Sequence, residues 1–181
     1  MSLFSALPAP LRIALEPRNW PLIAAGVSLA LLAGAFAFEY LGGMLPCPMC
    51  ITQRWAHAAI AGAGITVFLL IRAVKLPDLS ALLGVALVGV LSTVSLWHAV
   101  HHVLVEYEIL DLPPSCSGVS SGPVSLAQME NLFESARTIP QCNEVVWSLL
   151  GVSMAGWNAM ISFALALISL LVLINAMRRP R

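Results

Sequence analysis

The sequence predicts an all-α fold, a polytopic membrane four-helix bundle with a long outer loop carrying a short interfacial helix. Two observations carry this reading. Of 181 residues, 59% are hydrophobic and 10% charged, and the mean hydropathy is +0.89, far too apolar for a soluble domain of this size. Four apolar runs, residues 20–40, 51–71, 79–101 and 155–176, each reach the about 20 residues that cross a hydrocarbon core. Backbone groups cannot stay unpaired in lipid and the runs are too long for barrel strands, so all four are helices. No internal repeat or low-complexity tract interrupts them. The chain 1–181 therefore reads as a single membrane domain, with outer loops at 41–50 and 102–147.

The first run is bracketed by Trp20 and Tyr40, placed as interface anchors. Ala35-Phe36-Ala37 loosely resembles a signal-peptide cleavage site, but the run is long enough to span and three more follow. Net charge is zero, yet its distribution is lopsided. Arg12, Arg18, Arg72, Lys75, Arg178, Arg179 and Arg181 all fall on one side of a four-span chain, leaving only Arg54 and Arg137 elsewhere. The positive-inside rule then makes both termini cytoplasmic. All four cysteines face the opposite compartment, where disulfides persist.

Cys47-Pro48-Met49-Cys50 lies at the lip of the second run. A Cys-x-x-C at a bilayer surface suits electron transfer between a soluble thiol protein and a lipid-soluble carrier. Pro46 biases the chain to be extended before Cys47, and Pro48 suits a first helical turn, so span 2 starts at the motif. The helix N-terminus favours a thiolate there. Arg54 lies one turn below Cys50 on the same face. At that depth it requires a thiolate, a carbonyl oxygen or a headgroup phosphate as partner. Snorkelling to the headgroups is the plain alternative, and the register with Cys50 favours a functional role.

His98, His101 and His102 crowd the outer end of the third run. A histidine aimed at a carrier carbonyl, or acting as proton donor, is the sharper reading; hydrogen bonding at the interface is the plainer one, and metal ligation is disfavoured. Glu39 reads as interfacial, and His57 and Asn158 as interhelical hydrogen-bond partners. Gly62, Gly64, Gly84 and Gly89, with Ser92, Thr93 and Ser95, read as close-packing positions. In the long loop, Ser125 and Gln128 form a capping-box pattern after Gly122-Pro123. Leu126, Met129, Leu132, Phe133 and Ala136 would share the apolar face of that helix. The last span is preceded by a short interfacial turn around Trp147 to Gly151.

Cys116 and Cys142 flank the loop helix. Alone, the pair reads as a structural disulfide contributing about 3 kcal/mol through loop closure. With a Cys-x-x-C facing the same compartment, an exchanging pair is favoured, whereas the spacing fits zinc poorly. No metal site is expected.

The chain resembles the DsbB family of disulfide-bond formation membrane proteins over nearly its whole length. The resemblance rests on Cys47-Pro-Met-Cys50-Ile-Thr-Gln53-Arg54, Cys116-Ser-Gly, Cys142-Asn-Glu-Val-Val-Trp147 and Met154-Ala-Gly-Trp-Asn158, in that order. It implies a protein-dithiol:quinone oxidoreductase in the bacterial inner membrane. Such a protein reoxidises a soluble periplasmic thioredoxin-like dithiol oxidase of DsbA type and hands the electrons to ubiquinone or menaquinone. It further implies that Cys116 receives the partner's thiolate, that Cys142 links to Cys47, and that Cys50 is left as the thiolate beside the quinone. Arg54 matches the family's arginine near the quinone, and His102, with His101 close behind, matches its histidine. Three crowded histidines depart from the usual single one. A vitamin-K-epoxide-reductase-like quinone reductase, a paralogue with a dedicated partner, and a non-enzymatic membrane protein with two static disulfides are the alternatives. No nucleic-acid partner is expected.

Overall fold

The computed structural model describes residues 4, 6–74, 78–116 and 140–178. The loop helix expected around Leu126–Ala136 lies outside these residues, as do Lys75, Arg137, Arg179 and Arg181.

A short helix, α1 (Ala9–Ala14), precedes the bundle and buries none of its residues. Four helices long and apolar enough to cross a membrane follow: α2 (Trp20–Tyr40), α3 (Pro48–Ala73), α4 (Asp78–Glu106) and α5 (Met154–Met177). The first matches its expected range; the others are longer. α3 starts at Pro48, whose fixed φ and missing N–H suit the first helical position. α4 continues to Glu106, so the outer loop starts five residues later than the apolar run suggested. Its 29 residues span about 43 Å at 1.5 Å per residue, more than the about 30 Å of a hydrocarbon core. α4 is therefore longer than a hydrocarbon core requires, and apolarity alone did not reveal how far it extends.

The interfacial turn before α5 is a β-hairpin. β1 (Ser148–Leu149) pairs antiparallel with β2 (Val152–Ser153), with Ser148 opposite Ser153 and Leu149 opposite Val152. Leu150 and Gly151 carry φ of 54° and 79°, the two positive values that a tight two-residue hairpin turn requires. Ser153 then caps α5 by accepting the Gly156 N–H at 3.1 Å.

The bundle places small and polar groups inside and large apolar ones outside, as a lipid solvent favours. Ser28, Ser92, Ser95, Ser162 and Ser169 are fully buried, while Leu83, Val90, Trp55 and Trp97 point outward. The core is Trp20, Ala24, Ile60, Val85, Val88, Leu165 and Val172, tied by the Trp20 indole donating to Ser169 Oγ at 2.8 Å. Contacts are most extensive between α4 and α5, then α2 and α3, then α3 and α4. At the end opposite the cysteines, Arg18 pairs with Asp78 and Arg72 donates to Asn19 Oδ1, so the start of α2, the end of α3 and the start of α4 meet on one side.

Glycines set three of these contacts. A Cβ on Gly64 would overlap the Pro21 carbonyl, one on Gly84 would overlap Val67, and one on Gly89 would press Ser169. Gly62 faces open space and is not a packing position. We expect Gly64→Ala to destabilise the bundle by about 1–3 kcal/mol through overpacking, with Gly62→Ala neutral or slightly stabilising. Thermal unfolding in detergent distinguishes them; equal midpoints would mean that α2 and α3 do not approach this closely.

Candidate active site

Cys47 is the N-cap of α3, in extended conformation with φ −71° and ψ 164°. Its Sγ accepts the Cys50 N–H at 3.3 Å and lies 3.0 Å from Cys50 Sγ, the two remaining free thiols. Pro46 extends the chain into the cap and Pro48 starts the helix, so the motif's sequence alone turns both sulfurs toward the same place.

α4 brings His102 to this pair. Its Nε2 is 3.7 Å from Cys47 Sγ and 3.2 Å from the Cys142 carbonyl oxygen. Gln53, one turn into α3, donates its amide to His102 Nδ1 at 2.9 Å. Nδ1 is then the acceptor nitrogen and Nε2 carries the proton toward the sulfur and the carbonyl. The chain of partners continues inward. Asn158 Nδ2 donates to Gln53 Oε1 at 2.6 Å, His57 Nε2 to Asn158 Oδ1 at 2.6 Å, and Ser28 Oγ to His57 Nδ1 at 3.2 Å. Residues from α2, α3, α4 and α5 thus share one buried polar line with every heteroatom used. His57 and Asn158 are interhelical partners, as their place in the apolar runs suggested.

His102 is therefore the histidine at the motif. His98 and His101 make no hydrogen bond to it among the described residues, and His101 does not line the adjoining cavity. Glu106, one turn beyond His102, lies 3.9 Å from its Nε2 and accepts from the Ser153 hydroxyl, which ties α4 to the start of α5.

The second cysteine pair is a disulfide, Cys116–Cys142, with Cα atoms 5.6 Å apart. Cys116 sits on a 3-10 turn, Pro114–Cys116. Together with Cys47 and Val105, the disulfide forms a buried cluster that Met49, Cys50 and Leu112 flank. All four sulfurs share one end of the bundle. Cys116 and Cys142 are only 4% and 1% exposed, covered by Val105, Met49 and Leu112.

Arg54 has a partner that the sequence reading did not consider. Its guanidinium is paired with the Glu39 carboxylate, donates to the Ala35 carbonyl at 3.1 Å and stands over the Phe36 ring at 5.1 Å. Glu39 is thus not a bystander at the interface but the counter-ion of Arg54, both side chains being mostly buried. A carboxylate within an apolar run was itself the signal. Arg54 and Cys50 both border a cavity of about 360 Å³ between α2, α3 and α5, whose walls are mostly apolar and which His57, His102 and Asn158 also reach.

The family model described as "Disulfide bond formation protein DsbB" matches residues 17–172. The chain belongs to the DsbB family. It is 30% identical to a disulfide bond formation protein B of a Polaromonas species over 91% of this chain and 95% of that one. Relatives of the same description from Xanthomonas axonopodis pv. citri, 35% identical over 76% and 78% of the two chains, and from Methylococcus capsulatus, 34% identical over 82% and 89%, agree. No solved structure matches the chain significantly. The protein is accordingly an integral membrane protein of the disulfide-bond formation family, with four membrane-capable helices among the described residues.

In this DsbB-family protein the electrostatics single out Cys47. The hydrogen bond from the Cys50 thiol, then the His102 imidazole, pull the Cys47 thiol down to about 4 against the burial that raises it. A free cysteine titrates near ~8.5, so reduced Cys47 is held toward the thiolate well below the usual cysteine range. The helix start favoured a thiolate at the motif and the family resemblance assigned it to Cys50; in the reduced pair seen here it is the capping sulfur, Cys47, that is held as the thiolate. We expect the thiolate ultraviolet absorbance of the reduced Cys116→Ser/Cys142→Ser protein to hold from pH 8 to pH 5 and to fall as pH drops through about 4. Replacing His102 with Ala should move that fall upward. A midpoint near the free-cysteine value would remove the Cys50 and His102 contacts from the reduced state.

Proposed function

We propose that the chain is a protein-dithiol:quinone oxidoreductase that reoxidises a periplasmic thioredoxin-like dithiol oxidase and passes the electrons to a membrane quinone. The observation that carries this is the joining of two cysteine pairs, one oxidised and one reduced, through His102, beside an apolar cavity at membrane depth. Two static disulfides would require a Cys47–Cys50 bond, whereas these sulfurs are free and face a histidine. Cysteine order and the strings around the second pair favour this reading over a vitamin-K-epoxide-reductase-like enzyme.

The exchange steps balance on the chain's own sulfurs. A partner thiolate attacks Cys116 Sγ, forming a mixed disulfide and releasing Cys142 as thiolate. The partner's second thiol then resolves the mixed disulfide and leaves oxidised. Cys142 attacks Cys47 of an oxidised Cys47–Cys50 pair, and Cys50 departs as thiolate; Cys116 displaces Cys47 from Cys142 and restores the outer disulfide. The pair at the motif is then reduced, the arrangement seen here. The buried outer disulfide must become exposed for the first attack, so a partner that engages residues near Pro114–Cys116 would control entry.

The cavity suits a quinone. Its about 360 Å³ falls in the range of small-molecule pockets, ~300–1,000 Å³, with apolar walls and few polar groups. Leu31, Phe38 and Ile161 supply apolar wall, while Arg54, His57 and Asn158 supply polar edges. A quinone bound there would supply a two-electron, two-proton acceptor. Cys50 borders the cavity, Arg54 presents to it a guanidinium donor paired with Glu39, and His102 holds a proton at Nε2 beside the sulfurs. His101 has no such place. The basic residues at the opposite end support cytoplasmic termini and cysteines on the periplasmic side of the inner membrane.

Quinone reduction by purified protein, with a reduced DsbA-type oxidase as donor, tests the reading. Cys50→Ser and Cys116→Ser should each abolish turnover, and normal turnover in either would overturn the relay. Arg54→His should raise the apparent KM for quinone by about tenfold, as expected on losing a charge-assisted contact worth ~1.5 kcal/mol or more. An unchanged KM would take Arg54 out of the quinone site.

A further inference from the structure

We propose that the reduced Cys47–Cys50 pair and His102 form a zinc(II) site, a three-ligand soft-metal centre whose fourth position opens on the cavity. The inference does not depend on the quinone reading, because it concerns only the dithiol state of these three side chains.

The donors already converge. Cys47 Sγ, Cys50 Sγ and a His102 ring nitrogen all lie within 4.8 Å of one another. A tetrahedral ion with Zn–S near 2.3 Å and Zn–N near 2.0–2.1 Å separates two sulfurs by about 3.8 Å and sulfur from nitrogen by about 3.6 Å. Cys47 Sγ and His102 Nε2 stand at 3.7 Å, and the sulfurs, at 3.0 Å, need open by less than about 1 Å. Two thiolates and an imidazole are a donor set zinc takes, and three protein ligands with one open position is its exchangeable form. The ligands come from two helices, with Cys47 fixed as the cap of α3 and His102 buried in α4.

The surroundings can accommodate the ion. A ligating Nε2 must be unprotonated, with Nδ1–H donating to an oxygen. That requires the Gln53 amide to turn its oxygen to His102 Nδ1. The line behind it can invert as a unit: Gln53 then donates to Asn158 Oδ1, Asn158 to His57 Nε2, and His57 Nδ1–H to Ser28 Oγ. Gln53, Asn158, His57 and Ser28 stay paired with one another, while the Cys142 carbonyl gives up its contact with His102 Nε2 and Ser162 Oγ its acceptor at Asn158 Oδ1, a cost that the zinc–ligand bonds must offset. Binding displaces the remaining thiol proton to solvent and leaves the electron count unchanged. A Cys47–Cys50 disulfide has no thiolates to offer, so the site exists only while the pair is reduced, and zinc would arrest the protein in that state.

The test uses the full chain in lipid nanodiscs with Cys116→Ser and Cys142→Ser, reduced by a phosphine, so that only the motif supplies thiols. Zinc chloride titrated against a chromogenic chelator should bind at one ion per chain and shield both thiols from maleimide. Cobalt(II) in its place should give the visible spectrum of a tetrahedral, sulfur-ligated ion. His102→Ala should weaken zinc by about 10–100-fold, at least the loss that even outer-shell changes bring, and oxidation of the pair should abolish binding. Equal affinity in His102→Ala, binding to the oxidised pair, or thiols left fully reactive under zinc would each overturn the proposal. Should His102→Ala fail to fold, an octahedral, sulfur-free cobalt spectrum in the protein that keeps His102 would do the same.

Discussion

The contact on which the site depends is the Gln53 amide at His102 Nδ1. It decides which imidazole nitrogen carries a proton, and so what the two cysteine pairs meet between them. Were Nδ1 protonated, Nε2 would present a lone pair to Cys47 Sγ and to the Cys142 carbonyl, two acceptors, and the outer loop would lose its polar tie to the bundle. With Gln53 donating, Nε2–H serves both. Gln53 can donate in this sense only because Asn158 occupies its oxygen and His57 occupies that of Asn158 in turn. The orientation at the motif is thus held by side chains deep in the bundle. In a medium without water this coupling is strict, since each group left unpaired carries its full desolvation cost.

That constraint also explains what the sequence revealed. Spans are written in composition, because lipid demands apolar length and nothing subtler; the four runs and their order were visible at once. Register within the bundle is written in the polar exceptions, and those were legible only in part. His57 and Asn158 stood out as polar residues in apolar runs, so their pairing was foreseeable. Glu39 stood out equally, but it lies near a run's end beside Tyr40, where an interfacial reading absorbs it; only the fold shows that α2 and α3 set it against Arg54. The end of α4 was missed for a related reason. His101, His102 and Glu106 end the apolar signal, yet His102 and Glu106 are satisfied by Gln53, Cys142 and Ser153, so the helix runs through them. The hairpin before α5 depends on Leu150 taking a positive φ, which a leucine does not advertise.

The Glu39–Arg54 pair bears on how the cavity treats charge. An unpaired arginine there would be costly in apolar surroundings and would attract any anion strongly. Paired, it offers a directed donor with little net charge. The Ala35 carbonyl and the Phe36 ring fix the guanidinium further. Preorganised donors of this kind favour charge that develops during a reaction without drawing in permanent anions such as headgroup phosphates. For a neutral, apolar ligand entering from the bilayer, a neutralised arginine is the better gatekeeper.

The same economy of charge operates at the sulfurs. Cys47 is held as a thiolate chiefly by the Cys50 thiol and next by His102, so its charge exists only while the inner pair is reduced. Oxidising the pair removes that charge and with it the reason for Nε2–H to face the sulfur; the Cys142 carbonyl then becomes its principal partner. The position of Cys142 is thereby linked to the redox state of Cys47 through one imidazole. A Cys142 sulfur freed from Cys116 would find Cys47 already in its own buried cluster, with no long excursion needed. In the proposed relay, exchange between the two pairs would then depend less on reach than on the opening of the outer disulfide, which is buried here.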